Sequence, residues 1–155
     1  MEWCRRDQEV ERRSMKKYVI DASVAVKWYS QYDEDDLIQA DNLLRIYAEG
    51  VCELMAPTLI AYELANALRF NPNFGLEETV EAMQNFFALQ IVLEDPSDSI
   101  NAAVDLAYTY ALTVYDAVYV ALSQITATPL ITADYKLYAR AKELPFIEPL
   151  KDLKL

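Results

Sequence analysis

KYVIDASVAVKW, residues 17–28, changes character at its fifth residue. Tyr18, Val19 and Ile20 are the aromatic and β-branched types that fill a buried strand, so KYVID reads as a short strand ending at Asp21. Ser23 is a suitable N-cap, and SVAVKW continues as a helical turn. A strand that passes straight into a helix is half of a βα unit, and the rest of the chain repeats that arrangement.

DEDDLIQADNLLRIYAEG (33–50) spaces Leu37, Ala40, Leu44 and Tyr47 at helical period and is closed by Gly50. CELMAP (52–57) reads as a second strand, and TLIAYELANALRF (58–70) as a helix from Thr58, stopped by Asn71-Pro72. LEETVEAMQNFFAL (76–89) is an amphipathic helix expected to bury Val80, Met83, Phe86 and Phe87. IVLED (91–95) is a third strand, and a helix is expected from Ser97 through Ala111. LTVYDAVYVAL (112–122) opens a further helix to about Ile125. PLITAD (129–134) is a fourth strand, DYKLYARAKEL (134–144) a helix and FIEPL (146–150) a last short strand. No adjacent strands carry a hairpin signal. The expected fold is therefore α/β, a three-layer α/β/α sandwich with a central parallel sheet, and such sheets place ligands beyond the carboxyl ends of their strands.

Residues 17–155 suit one domain, and residues 1–16 read as a charged tail, with Met15 a candidate start. The net charge is −11. Residues 1–17 hold six basic and four acidic side chains, so the remainder carries −13, and no Lys or Arg occurs between Arg69 and Lys136. Broad electrostatic binding to nucleic acid or anionic membrane is thereby disfavoured. Cys4 and Cys52 offer neither a disulfide framework nor a zinc spacing, which fits a reducing cytoplasm. The charged N-terminus is unlike a signal peptide, and no apolar run would span a membrane. With no histidine in the chain, Ser-His-Asp, Cys-His and paired-His chemistry are closed.

Four acids stand out. Asp21 ends the first strand, Asp134 follows the fourth, and Glu63 and Asp116 sit on mostly apolar helices. Singly each has an ordinary reading: Asp21 and Asp134 as N-caps, Asp116 in the first turn after a Thr113 cap, Glu63 facing solvent. Together they need a counter-charge, because an unpaired buried carboxylate costs several kcal/mol. With cations missing from the whole span around Asp116 and Asp134, a hard divalent ion bound by oxygen, Mg²⁺ or Mn²⁺, is the economical solution. Ser23, Thr132 and Asn66 lie close enough in sequence to orient those acids or their waters.

YVIDASVAVKW, APTLIAYELANALR, LTVYDAVYVALS and PLITADYKL resemble, in order and spacing, the motifs of PIN-domain ribonucleases, most closely the VapC-like toxins of type II toxin–antitoxin pairs. The resemblance covers residues 17–150. It implies a metal-dependent endoribonuclease that hydrolyses RNA to 5′-phosphate and 3′-hydroxyl ends. Asp21, Glu63, Asp116 and Asp134 would take the acidic positions, Ser23 and Thr132 the hydroxyl positions, and Asn66 the polar position after the glutamate. It also implies a homodimer and an antitoxin partner whose Arg or Lys could block the pocket. Lys27 and Arg69, the bases nearest Asp21 and Glu63 in sequence, read as solvated charges or as contacts to substrate phosphate. Tyr108, Tyr115, Tyr119, Tyr135 and Tyr138 read as core edges or as a partner surface.

Other readings use the same residues. The fold would also serve an RNA-processing nuclease outside any toxin–antitoxin pair. A receiver domain or haloacid-type phosphatase places an Asp at a strand end and a Thr after a later strand, as Asp21 and Thr132 stand. The phosphatase, however, needs a second Asp where this chain has Ser23, and the receiver's lysine is matched only by Lys151, beyond Pro149-Leu150. A non-catalytic binding module would use the four acids as structure alone.

Overall fold

The computed structural model describes residues 15–155. Most of the expected N-terminal tail lies outside the described residues, and Lys16 already belongs to the first strand.

Val19 and Ile20 have no exposed surface because β1 (Lys16–Ile20) lies in the middle of the sheet with helices over both faces. β1 pairs in parallel with β2 (Cys52–Pro57), Lys16 opposite Cys52 and Val19 opposite Met55. Its other edge pairs with β4 (Leu130–Thr132), Ile20 opposite Ile131. β3 (Val92–Glu94) adds to β2 and β5 (Ile147–Pro149) to β4, giving the all-parallel order β3-β2-β1-β4-β5. The winding direction reverses between β1 and β4. That switch point opens a crevice at the carboxyl ends of these two strands.

Among the described residues seven α-helices connect the strands: α1 (Ala22–Ala25), prolonged by a 3₁₀ turn at Val26–Trp28, α2 (Leu37–Ala48), α3 (Leu59–Arg69), α4 (Leu76–Ala88), α5 (Ile100–Tyr110), α6 (Val114–Thr126) and α7 (Tyr135–Ala141). α3 buries Ile60, Leu64 and Leu68, a four-residue spacing that aims one stripe inward and leaves Glu63 and Asn66 beside it. α6 is the central helix, with every residue from Ala117 to Ser123 buried. Gly50 closes α2 at φ +73, a conformation that other residues adopt only with strain. No helix among the described residues is long and apolar enough to cross a membrane.

Several local expectations change. The first strand stops at Ile20, and Asp21 is the N-cap of α1 rather than the strand's last residue. In α4 the buried residues are Ala82 and Phe86, whereas Val80 and Phe87 are exposed. The helix is rotated so that its small Ala82 approaches the core, and Met83 and Phe87 turn toward α3 instead. The helix expected from Ser97 is broken: Asp95 accepts from the Ser97 amide at 2.8 Å, a 3₁₀ turn follows at Pro96–Asp98, and α5 starts at Ile100. Pro96 lacks an N–H and its ring fixes φ, which suits a first turn and not a helix interior.

Candidate active site

Asp21 leaves β1 at the switch point and is 5% exposed. Its Oδ1 accepts from the Ser23 hydroxyl and, at 3.3 Å, from the Val24 amide, while Oδ2 accepts from the Thr132 hydroxyl. Both hydroxyls then accept in turn: Ser23 Oγ from the Ala133 amide at 2.9 Å, and Thr132 Oγ1 from the Asp134 amide at 3.0 Å. The ends of β1 and β4 are thus stitched together through the two side chains expected to support the acids. Burial pushes the Asp21 carboxyl up to about 6, and the neighbouring Asp134 charge adds to this, while the hydroxyl and amide bonds pull the other way.

Asp134 caps α7, accepting on Oδ1 from the amides of Lys136 at 3.0 Å and Leu137 at 3.1 Å. Capping consumes one oxygen and leaves Oδ2 without a partner among the described residues. Asp116 stands in the first turn of α6, where its amide donates to the Thr113 hydroxyl at 3.1 Å. Its carboxyl is raised by burial and by the Asp134 charge, against the pull of Thr113 and the more distant Arg140.

Glu63 is half-buried and held from an unexpected direction. The Tyr119 hydroxyl donates to its Oε2 at 2.5 Å. Burial raises the Glu63 carboxyl and Asp116 raises it further, with the Tyr119 bond opposing. Tyr119 is not the core edge or partner surface its composition suggested: it lies on the floor of the site, and its own phenol is pushed far up by burial and by the acids around it. The available signal was its position, three residues after Asp116 and so on the same face of α6.

Asp21, Ser23, Glu63, Asn66, Asp116, Tyr119 and Asp134 line one cavity of about 260 Å³ at the carboxyl edge of the sheet. The four acids, drawn from four separate segments, therefore meet in one place, with Ser23 and Asn66 at its wall and Thr132 behind Asp21. None of them is in an ion pair among the described residues. Lys27 is not the solvated or phosphate-binding charge its position suggested. It is buried and pairs with Glu34 at 2.5 Å. Arg69 is exposed and lies over the Phe70 ring.

The donor set suits a hard dication: carboxylate oxygens, with no imidazole or thiolate among the lining residues to favour zinc. Among the described residues no three of these acids are drawn to ligating distance around a common point. Three of the four are instead held by neutral donors, Asp21 by two hydroxyls, Glu63 by Tyr119 and Asp134 by amides. The residues fit Mg²⁺ or Mn²⁺ in kind, and Glu63 and Asp134 each have an oxygen free to turn toward an ion.

Comparison with solved structures places this fold among known ones. A crystal structure of PAE2754 from Pyrobaculum aerophilum aligns with TM-score 0.62 at 24% identity, covering 88% of this chain and 90% of that one. A toxin–antitoxin complex from Klebsiella pneumoniae aligns with TM-score 0.62 at 16% identity, covering 88% and 99%. VapBC2 from Rickettsia felis, bound to a DNA fragment from its promoter, aligns with TM-score 0.60 at 14% identity, covering 86% and 98%. Comparison with curated proteins gave no significant match. The family model described as the PIN domain matches residues 18–143, a span that holds all four acids. The chain belongs to the PIN domain family.

Proposed function

We propose that this protein is a metal-dependent endoribonuclease, the toxin of a type II toxin–antitoxin pair. The observation that carries the reading is the meeting of Asp21, Glu63, Asp116 and Asp134 in one cavity, without a cationic partner among the described residues. These four would hold Mg²⁺ or Mn²⁺. A dication held there would lower the pKa of a water and offset charge developing on a phosphodiester. The protein's own groups prepare the site. Ser23 and Thr132 fix Asp21 against β4, Tyr119 holds Glu63, and Asn66 offers an amide at the cavity wall. No histidine is needed, and acidity at the surface is compatible with an RNA substrate if phosphate is drawn in through metal.

The structural neighbours that are toxin–antitoxin complexes support the toxin assignment over RNA processing. An antitoxin that placed an Arg or Lys in the acidic cavity would form charge-assisted bonds with the same carboxylates and shut the site. Self-association belongs to the same reading: Tyr108 and Tyr115 are exposed, beside the partly exposed Ile100 and Val104. A phosphoaspartyl mechanism is poorly served, because Ser23 stands where the phosphatase needs a second Asp and, among the described residues, no lysine lines the cavity.

Cleavage of a fluorogenic single-stranded RNA with Mg²⁺ or Mn²⁺ is the direct test. Activity should disappear in EDTA and in Asp116→Asn. Cleavage that survives both, or a wild-type protein that never cleaves, would overturn the proposal.

A further inference from the structure

An acidic protein that handles RNA still needs cations for the phosphates outside its metal site, and few are free among the described residues. Ten Lys and Arg residues fall within the described residues. Lys17, Lys27 and Arg45 are paired with Glu53, Glu34 and Glu49. Arg69 lies over Phe70 and Lys151 over Tyr135. Lys16 and Lys154 line a cavity at the start of β1, the opposite edge of the sheet from Asp21. Lys136, Arg140 and Lys142 remain, all on or next to α7, the helix that Asp134 caps.

Lys136 and Arg140 are both exposed and one turn apart, so they share a face. Arg140 is also anchored. Its Nη1 donates to the carbonyl of Ala111 at 2.8 Å, and Ala111 ends α5 five residues before Asp116. That bond holds the guanidinium at the corner between α5 and α6 and leaves its other N–H groups available. Among the described residues the guanidinium forms no ion pair. An anchored, exposed guanidinium on the helix whose cap, Asp134, lines the acidic cavity is arranged to receive an anion from outside.

We propose that this face of α7, Lys136 with Arg140, is the track along which the sugar–phosphate backbone of single-stranded RNA runs as it leaves the acidic cavity. The inference rests on the nuclease reading and names the protein surface that its substrate uses. Four residues of helix advance about 6 Å, a step that successive phosphates of an extended strand can follow. Lys136, two residues from Asp134, meets the phosphate nearer the cavity, and Arg140 the next with its planar fork.

The test measures binding of a labelled single-stranded RNA by fluorescence anisotropy with Mn²⁺, in the cleavage-silenced Asp21→Asn background, between about 50 and 200 mM salt. Replacing both residues, Lys136→Gln with Arg140→Gln, should lower the slope of log K against log salt by about 1.4, the release of two counterions from a single strand. Arg140→Lys keeps the charge and should keep most of the slope. Lys16→Gln with Lys154→Gln, on the far edge, should change nothing. An unaltered slope in the α7 pair, as expected if this face instead serves an acidic protein partner, overturns the proposal, as does an equal fall in the far-edge pair. Thermal melting of Arg140→Lys and Arg140→Gln separates the loss of charge from loss of the Ala111 bond. A wild-type protein that never cleaves RNA would remove both readings, whereas wild-type cleavage with an unaltered slope removes this one alone.

Discussion

Tyr119 and Glu63, 56 residues apart in the chain, share a hydrogen bond of 2.5 Å that joins α6 to α3 across the floor of the acidic cavity. The bond gives Glu63 a neutral donor in place of a cation, so the carboxylate is placed without being neutralised. Tyr119→Phe preserves the ring and its packing but frees Glu63. Hydrogen bonds to charged groups contribute about 1.5–3 kcal/mol, and the lower end applies because Glu63 is half-exposed. The variant should melt a few degrees lower and lose roughly tenfold in metal affinity or turnover. Unchanged Mn²⁺ affinity, measured by titration calorimetry, would show that the bond is structural only.

Thr132 links two acids, donating to Asp21 and accepting from the Asp134 amide. Thr132→Val keeps the shape and removes both bonds, leaving a buried carboxylate short of a donor. A cost of about 1–3 kcal/mol is expected, together with a 10–100-fold loss of metal affinity. Thr132→Ser should recover most of both. Equal behaviour of the Ser and Val variants in denaturant melts and Mn²⁺ titrations would contradict this account.

Stability in EDTA should fall as pH rises. Burial lifts Asp21 to about 6 from an ordinary 3.8, so the folded chain keeps a proton that the unfolded chain releases near pH 4. The stability this provides is fully present below the unfolded value and is lost as pH climbs through about 6. Two units correspond to a loss on the order of 3 kcal/mol. Glu63 and Asp116 are raised too and act in the same sense. Melting temperatures in EDTA across this window provide the check, and a rise toward neutral pH would refute the burial argument.

Metal should reverse that loss. At about 100 times its dissociation constant a ligand adds about 2.7 kcal/mol, which for a chain of this size raises the melting temperature by roughly 5–10 °C. The rise with Mn²⁺ should be larger near pH 7 than near pH 5, since ligating carboxylates must first lose their protons. Asp116→Asn should shrink it. An equal rise in wild type and Asp116→Asn would remove Asp116 from the metal site.

The chain's pattern alone was enough for the succession of strands and helices, for a parallel sheet, and for singling out four acids that the fold brings to one cavity. Strand runs such as YVI and LIT, each followed within two residues by an Asp that caps the next helix, depend on nearest-neighbour chemistry. Where Lys27 and Tyr119 would point was beyond that reach. Lys27 looked like a surface charge because its partner, Glu34, lies across a loop of unpredictable course. Tyr119 looked like one of many tyrosines because its partner, Glu63, sits on α3, 56 residues away in the chain. Likewise the rotation of α4, which exposes Val80 and Phe87, followed from how Ala82 fits against the core, not from the helix's own periodicity. Local sequence sets backbone conformation through short-range sterics and capping. Which side chains meet, and hence which charges are neutralised, depends on long-range packing that no single segment encodes.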